Sequence, residues 1–166
     1  SKWECFDKIL DKLGNKLEKT LIYCSDKQID RVRGTLHSRK IIAHEITFRQ
    51  PLEHRKRIIE LFKSNEYQVI VAMKILDEGI DVPSIKRAII LASSGNPIEF
   101  VQRRGRILRK FEGKEYSEIY DIIVFPWEKI PDFIDSSDKS LLRREINRID
   151  EFIKNSMNPL EVANKI

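Results

Sequence analysis

A chain of 166 residues is one domain by length and is long enough to bury a sizeable core. With 41% apolar and 34% charged residues it reads as an ordinary globular protein, with no apolar run long enough to span a membrane and no signal-peptide pattern. Its net charge of +5 and pI near 9.2 admit a polyanionic partner without demanding one.

Residues 3 to 19 carry Phe6, Ile9, Leu10, Leu13 and Leu17 at helical spacing. Cys5 and Cys24 lack metal-ligand spacing and read as reduced thiols of a cytoplasmic protein. The opening Ser1-Lys2-Trp3, without an initiator Met, reads as an internal piece of a longer protein. The short apolar run Leu21–Cys24 predicts a strand, and Ser25-Asp26 follows as a helix start leading to about His37. Ile41–His44 is the next strand candidate, and Ile46 and Phe48 could extend its alternation. Pro51 opens a third helix with Leu52, Ile59 and Phe62 on one face. Gln68–Ala72 and Arg87–Ala92 are β-branched runs read as strands, and Glu118–Phe125 is the last of them.

Strands alternating with helices predict an α/β sandwich, in which a mostly parallel central sheet of five or more strands lies between two helical layers. The strand ends at Cys24-Ser25, Ala72-Met73 and Ser93-Ser94 then share the C-terminal strand edge, where open parallel sheets bind ligands. The first domain is expected over residues 1–130. A helical extension over 131–166 is built on one long helix, capped by Ser136 or Ser137 and running to about Asn155. Leu142, Ile146, Ile149 and Ile153 give this helix an apolar stripe, read as packing on the lobe or as a face for a neighbouring domain.

The most concentrated charge lies between Ile98 and Arg109, where Arg103, Arg104, Arg106 and Arg109 fall within seven residues. Asn96-Pro97 reads as a helix start, with Glu99 at the capping-box position. In a helix, Gln102, Arg106 and Arg109 share one face. Such a face is either a solvated basic surface or an anion site, because guanidinium forks match phosphate oxygens.

Gln102-Arg103-x-Gly105-Arg106-x-x-Arg109 resembles motif VI of superfamily 2 helicases. The stretch from Val69 to Pro83, with Leu-Asp-Glu-Gly-Ile-Asp-Val-Pro at its end, resembles their motif V. Leu21–Ser25 resembles motif IV, and Arg55–Phe62 the helix between IV and V, in the same order and spacing. The wording of motif V is closest to the DNA-repair and restriction-type branch. The resemblance covers residues 17 to 126 and implies a RecA-like fold, the second lobe of an ATP-dependent motor.

It also implies roles. Arg106 and Arg109 match the arginine fingers that stabilise charge on the transferred phosphoryl group, and Gln102 matches a contact to the γ-phosphate or its water. Gly79, Asp81 and Arg103 match ATP-binding positions, with Gly79 allowing close backbone approach and Asp81 toward the ribose, where local sequence alone equally allows it to cap a turn before Pro83. Ser25, Lys27, Thr47 and Arg49 are candidate phosphate contacts, each with an ordinary surface position as the alternative, and Met73 and Lys74 fall at nucleic-acid-binding positions. Met73 stands where many members have Thr or Ser, so a hydroxyl contact is lost there, leaving Lys74 or backbone N–H groups to replace it. Arg104 and the histidines His37, His44 and His54 read as solvent-facing or structural, with no metal-ligand spacing.

No Gly-x-x-x-x-Gly-Lys-[Ser/Thr] occurs. Asp77-Glu78 sits in motif V and is not read as a magnesium site. ATP with Mg²⁺ is therefore expected mainly on an N-terminal RecA-like lobe of the same protein. The partner is expected to be nucleic acid, DNA rather than RNA, with no membrane. The alternative is a non-catalytic basic α/β module that holds nucleic acid without ATP.

Overall fold

The structure, a computed structural model, describes residues 1–47, 49–72, 85–91, 116–123, 135–155 and 157. The chain divides into two compact units, Ser1–Ile122 and Ile123–Ile166. The boundary expected at residue 130 lies outside the described residues.

Helix α1 (Lys2–Leu13) begins with a capping box in which Ser1 Oγ accepts from the Glu4 N–H and the Glu4 carboxylate accepts from the Ser1 nitrogen. Phe6, Leu10 and Leu13, four and three residues apart, are buried. The helix stops earlier than the apolar spacing predicts, because Gly14 takes φ 48°, a left-handed conformation that costs a glycine little. Leu17, beyond the break, is still buried.

Four-residue strands follow: β1 (Thr20–Tyr23), β2 (Ala43–Ile46), β3 (Val69–Ala72), β4 (Arg87–Ile90) and β5 (Glu118–Asp121). Their order across the sheet is β2-β3-β1-β4-β5, and every pairing is parallel. Parallel neighbours need crossovers, and two of these are helices α2 (Ile29–Ser38) and α3 (Leu52–Lys63). The sheet is buried on both faces. Phe6, Leu10, Val32 and Leu36 from α1 and α2 pack with Ile22, Val69, Val71 and Ile89. Ile58, Ile59 and Phe62 from α3 pack with Leu21, Tyr23, Ile70, Ala72 and Ala88. The alternation along each strand is the pleat, and each buried aliphatic or phenyl side chain contributes roughly 1.5–3 kcal/mol. This is the three-layer α/β architecture the sequence predicts.

Two local details differ from the periodicity. Strand β2 starts at Ala43 rather than Ile41. The Ile41 N–H donates back to the Leu36 carbonyl at 3.0 Å and the Ile42 N–H to Gln68 Oε1 at 3.1 Å, so the ladder begins only after them. Leu52 is 51% exposed, while Ile58 takes a buried place in the α3 face. Leu52 stands in the first turn, at the end of α3 nearest the strand ends.

The opposite edge of the sheet is tied by a fork. Arg87 Nε and Nη2 donate to Glu118 Oε2 and Oε1 at 3.1 and 3.2 Å, and these two residues are partners in the β4–β5 register. Arg87 Nη1 also donates to the Lys16 carbonyl.

In the second unit, helix α4 (Ser136–Asn155) has the bounds predicted for it. Its cap is Asp135 rather than either serine. Asp135 Oδ1 accepts from the Ser137 and Asp138 N–H groups, each at 2.8 Å, and from Ser137 Oγ at 2.7 Å. The Asp138 N–H is the chief reason the Asp135 carboxyl is held below its usual pKa. Among the described residues, no helix is long and apolar enough to cross a membrane.

Candidate functional site

The registers align the strand ends. Tyr23 is level with Ala72 and Ile90, Ile46 with Ala72, and Ile90 with Asp121. Chain leaving β1 and β2 therefore emerges on one edge, and that edge carries four of the residues singled out above.

The exit of β1 is pinned before it reaches solvent. The Cys24 N–H donates to the Ala72 carbonyl at 3.1 Å, and the thiol is buried. Burial, with the charges of Glu45 and Asp26 adding to it, pushes the Cys24 thiol up to about 12, so it stays protonated and is no nucleophile at neutral pH. Ser25 is the first exposed residue. Its N–H and Oγ both donate to Gln28 Oε1, at 2.9 and 3.0 Å, which shapes the tight turn Asp26–Gln28 ahead of α2. Lys27 is exposed on that turn.

The exit of β2 is built in the same way by another glutamine. The Thr47 N–H donates to Gln50 Oε1 at 3.0 Å, Gln50 Nε2 donates to the Glu45 carbonyl at 3.3 Å, and the Gln50 N–H closes on the Thr47 carbonyl at 3.2 Å. Thr47 is 7% exposed, so most of its surface is withdrawn from solvent, while Arg49 stands out of the turn. Arg49 Nη2 reaches Asp26 Oδ2 at 2.9 Å and so joins the two exits. Ser25, Lys27 and Arg49 thus share one exposed edge, with Thr47 beneath it.

At the β4 exit, Leu91 is held from both ends. Its N–H donates to the Tyr23 carbonyl at 2.8 Å, and its own carbonyl accepts from Lys2 Nζ at 2.7 Å. Leu91 is the last described residue before the arginine-rich stretch. Met73, Lys74, Gly79, Asp81, Gln102, Arg103, Arg106 and Arg109 lie outside the described residues. Among the described residues, no three His, Cys, Asp or Glu side chains are grouped so as to hold a metal ion.

Reading the sequence alone misses Asp26, Gln28, Gln50 and Lys2. Gln28 stands three residues after Ser25, the capping-box spacing, and could have been found from it. Gln50 stands at the same spacing after Thr47, whereas Asp26 and Lys2 act through partners that local spacing does not reveal.

The family profile described as Helicase conserved C-terminal domain matches residues 1–111. The chain is 36% identical over 110 residues to a protein named DNA 3'-5' translocase XPB2 from Sulfurisphaera tokodaii, covering 66% of this chain and 24% of that protein. It is 30% identical over 95 residues to the pre-mRNA-processing ATP-dependent RNA helicase PRP5 of Candida glabrata, covering 55% of this chain and 11% of that protein. The chain therefore spans about a quarter of the first relative and about a tenth of the second. Relatives named for DNA and for RNA both align, so the relationship is to superfamily 2 broadly and not to the repair and restriction branch alone. Among solved structures, the C-terminal part of the Fun30 ATPase domain superposes with a TM-score of 0.67 at 19% identity, covering 90% of this chain and 54% of that one, a likeness of fold. With a parallel five-stranded sheet, aligned strand exits and a profile match over two thirds of its length, the chain belongs to the helicase conserved C-terminal domain family, the RecA-like second lobe of superfamily 2 helicases.

Proposed function

We propose that this chain is the second motor lobe of an ATP-dependent helicase or translocase that moves on nucleic acid, DNA in preference to RNA. The observation that carries this reading is the run Gln102-Arg103-x-Gly105-Arg106-x-x-Arg109, inside the profile match and between strands β4 and β5 of a parallel sheet with aligned exits. The preference for DNA rests on the wording of Leu76–Pro83 and on the similarity to a protein named as a DNA translocase.

In this reading Arg106 and Arg109 meet the charge that develops on the transferred phosphoryl oxygens, and Gln102 orients the γ-phosphate or its water. Gly79, Asp81 and Arg103 complete the nucleotide contacts from this side. The β- and γ-phosphates and Mg²⁺ are assigned to an N-terminal lobe, because this sequence has no phosphate-cradling glycine loop. Ser25, Lys27, Thr47 and Arg49 form part of the nucleic-acid track, joined by Met73 and Lys74. Within it, Lys27 and Arg49 present the cationic groups that phosphates bind, and Ser25 and Thr47 join by exchanging their bonds to Gln28 and Gln50 for phosphate. The C-terminal helix α4 is proposed as an extension of the lobe.

The test is steady-state ATP hydrolysis by the full-length protein with and without single-stranded DNA or RNA. DNA-stimulated hydrolysis is expected, with RNA a weaker activator. Absence of ATPase under both conditions would overturn the motor reading in favour of a passive binding module.

A further inference from the structure

The ion pair between Asp26 and Arg49 has an unusual position for a surface contact. Asp26 follows β1 and Arg49 follows β2, yet these strands are not neighbours, because β3 lies between them. The pair spans two strand spacings, about 10 Å, over the end of β3, where Ala72 is level with Tyr23 on one side and Ile46 on the other. A polyanion laid along the strand-end edge meets this pair.

We propose that Asp26 is an internal stand-in for phosphate that holds Arg49 when no nucleic acid is bound, so that Asp26 sets how tightly this edge grips a nucleic-acid backbone. The inference rests on the reading above that Arg49 contacts that backbone. A guanidinium fork accepts a carboxylate or a phosphate with the same geometry, so the two compete for the same donors. The side chains are 64% and 58% exposed, and exposed pairs of this kind are weak and exchange readily. The other nearby acid, Glu45, pairs with Arg33 of α2 at 3.4 Å, and Asp26 pairs with Arg49. With Asp26 charged, Lys27 is the turn's uncompensated cation. When a strand displaces Asp26 from Arg49, two cations serve the backbone.

The experiment is a double-mutant cycle in the full-length protein, read by fluorescence anisotropy with a mixed-sequence single-stranded DNA oligonucleotide and no nucleotide. Asp26→Asn is expected to tighten binding about 1.5- to five-fold, the range set by exposed ion pairs. It is expected to do nothing in an Arg49→Ala background. Asp30→Asn, which removes the same charge from the first turn of α2, is the control and is expected to change binding little. Asp26→Ser repeats the measurement should the Asn variant prove poorly folded.

Unchanged or weaker binding by Asp26→Asn, while Arg49→Ala weakens binding, would overturn this inference alone. Equal tightening with and without Arg49 would show a general charge effect and also overturn it. If Arg49→Ala binds like wild type, Arg49 is not on the track, and both the backbone contact and the role of Asp26 fall together.

Discussion

The ammonium of Lys19 stands on the last turn of α3, donating to the Phe62 carbonyl at 2.7 Å and to the Lys63 carbonyl at 2.6 Å. The Phe62 carbonyl also accepts from the Asn65 N–H at 3.2 Å, and at this helix end a cation meets the negative end of the helix dipole. Lys19 precedes the central strand β1, so this contact fastens α3 to the middle of the sheet. Partial burial, and then repulsion from Lys86, hold the Lys19 pKa below its ordinary value, so desolvation offsets part of the gain. Lys19→Met keeps the aliphatic stem near Phe62 and removes the donor. It is expected to lower unfolding free energy by about 1 kcal/mol, measured by urea denaturation with an unchanged slope. No change in midpoint would mean that water satisfies those carbonyls equally well.

The two cysteines give a chemical test of the β1 exit. Cys5 is exposed and Cys24 is buried. Iodoacetamide near pH 8 is expected to label Cys5 and to spare Cys24 until the protein is unfolded, read by mass spectrometry. The pH dependence has a definite sign. The folded Cys24 pKa is raised from 9.0 to about 12, so the folded state keeps a proton that the unfolded chain releases. This contribution to stability is complete below about pH 9 and is lost as pH rises toward 12. Wild type is therefore expected to lose more stability than Cys24→Ala between pH 8 and pH 10.5. Equal losses would place the thiol in contact with solvent.

The finger assignment predicts a split between chemistry and binding. In the full-length protein, Arg106→Ala or Arg109→Ala is expected to cut kcat for ATP hydrolysis by about 10³- to 10⁵-fold. Nucleotide affinity, titrated separately, is expected to change far less, because fingers act on transition-state charge. Lysine at either position is expected to rescue poorly, since an ammonium lacks the planar fork. Arg104→Ala serves as the control and is expected to be nearly silent. Wild-type turnover in Arg106→Ala and Arg109→Ala would return the arginine-rich stretch to a solvated basic surface.

The track predicts a salt signature. Binding that rests on phosphate contacts releases counterions, so affinity falls as a power of salt concentration. Lys27→Ala is expected to weaken binding to every DNA sequence alike and to reduce the magnitude of the log–log salt slope by about 1. Loss of binding to some sequences and not others would mean that Lys27 reads bases.

The order of strands and helices, the parallel sheet and the bounds of α4 were all legible in the sequence, because they depend on local pattern. Leu21–Cys24, Gln68–Ala72 and Arg87–Ala92 are runs too apolar to face water, and the segments between them carry helical spacing, so burial on both sheet faces followed without knowledge of the partners. The arginine-rich motif is read from the order of its residues, which lie outside the described ones. What the tertiary structure alone decided depends on pairs far apart in the chain. Gln68 captures the Ile42 N–H and so shortens β2, Lys19 reaches Phe62, and Arg49 crosses the end of β3 to Asp26. Hydrophobic period reports which side of an element is buried. It carries no information about which polar group lies opposite at 3 Å, because that is set only when the registers bring the strand ends level and the exits meet.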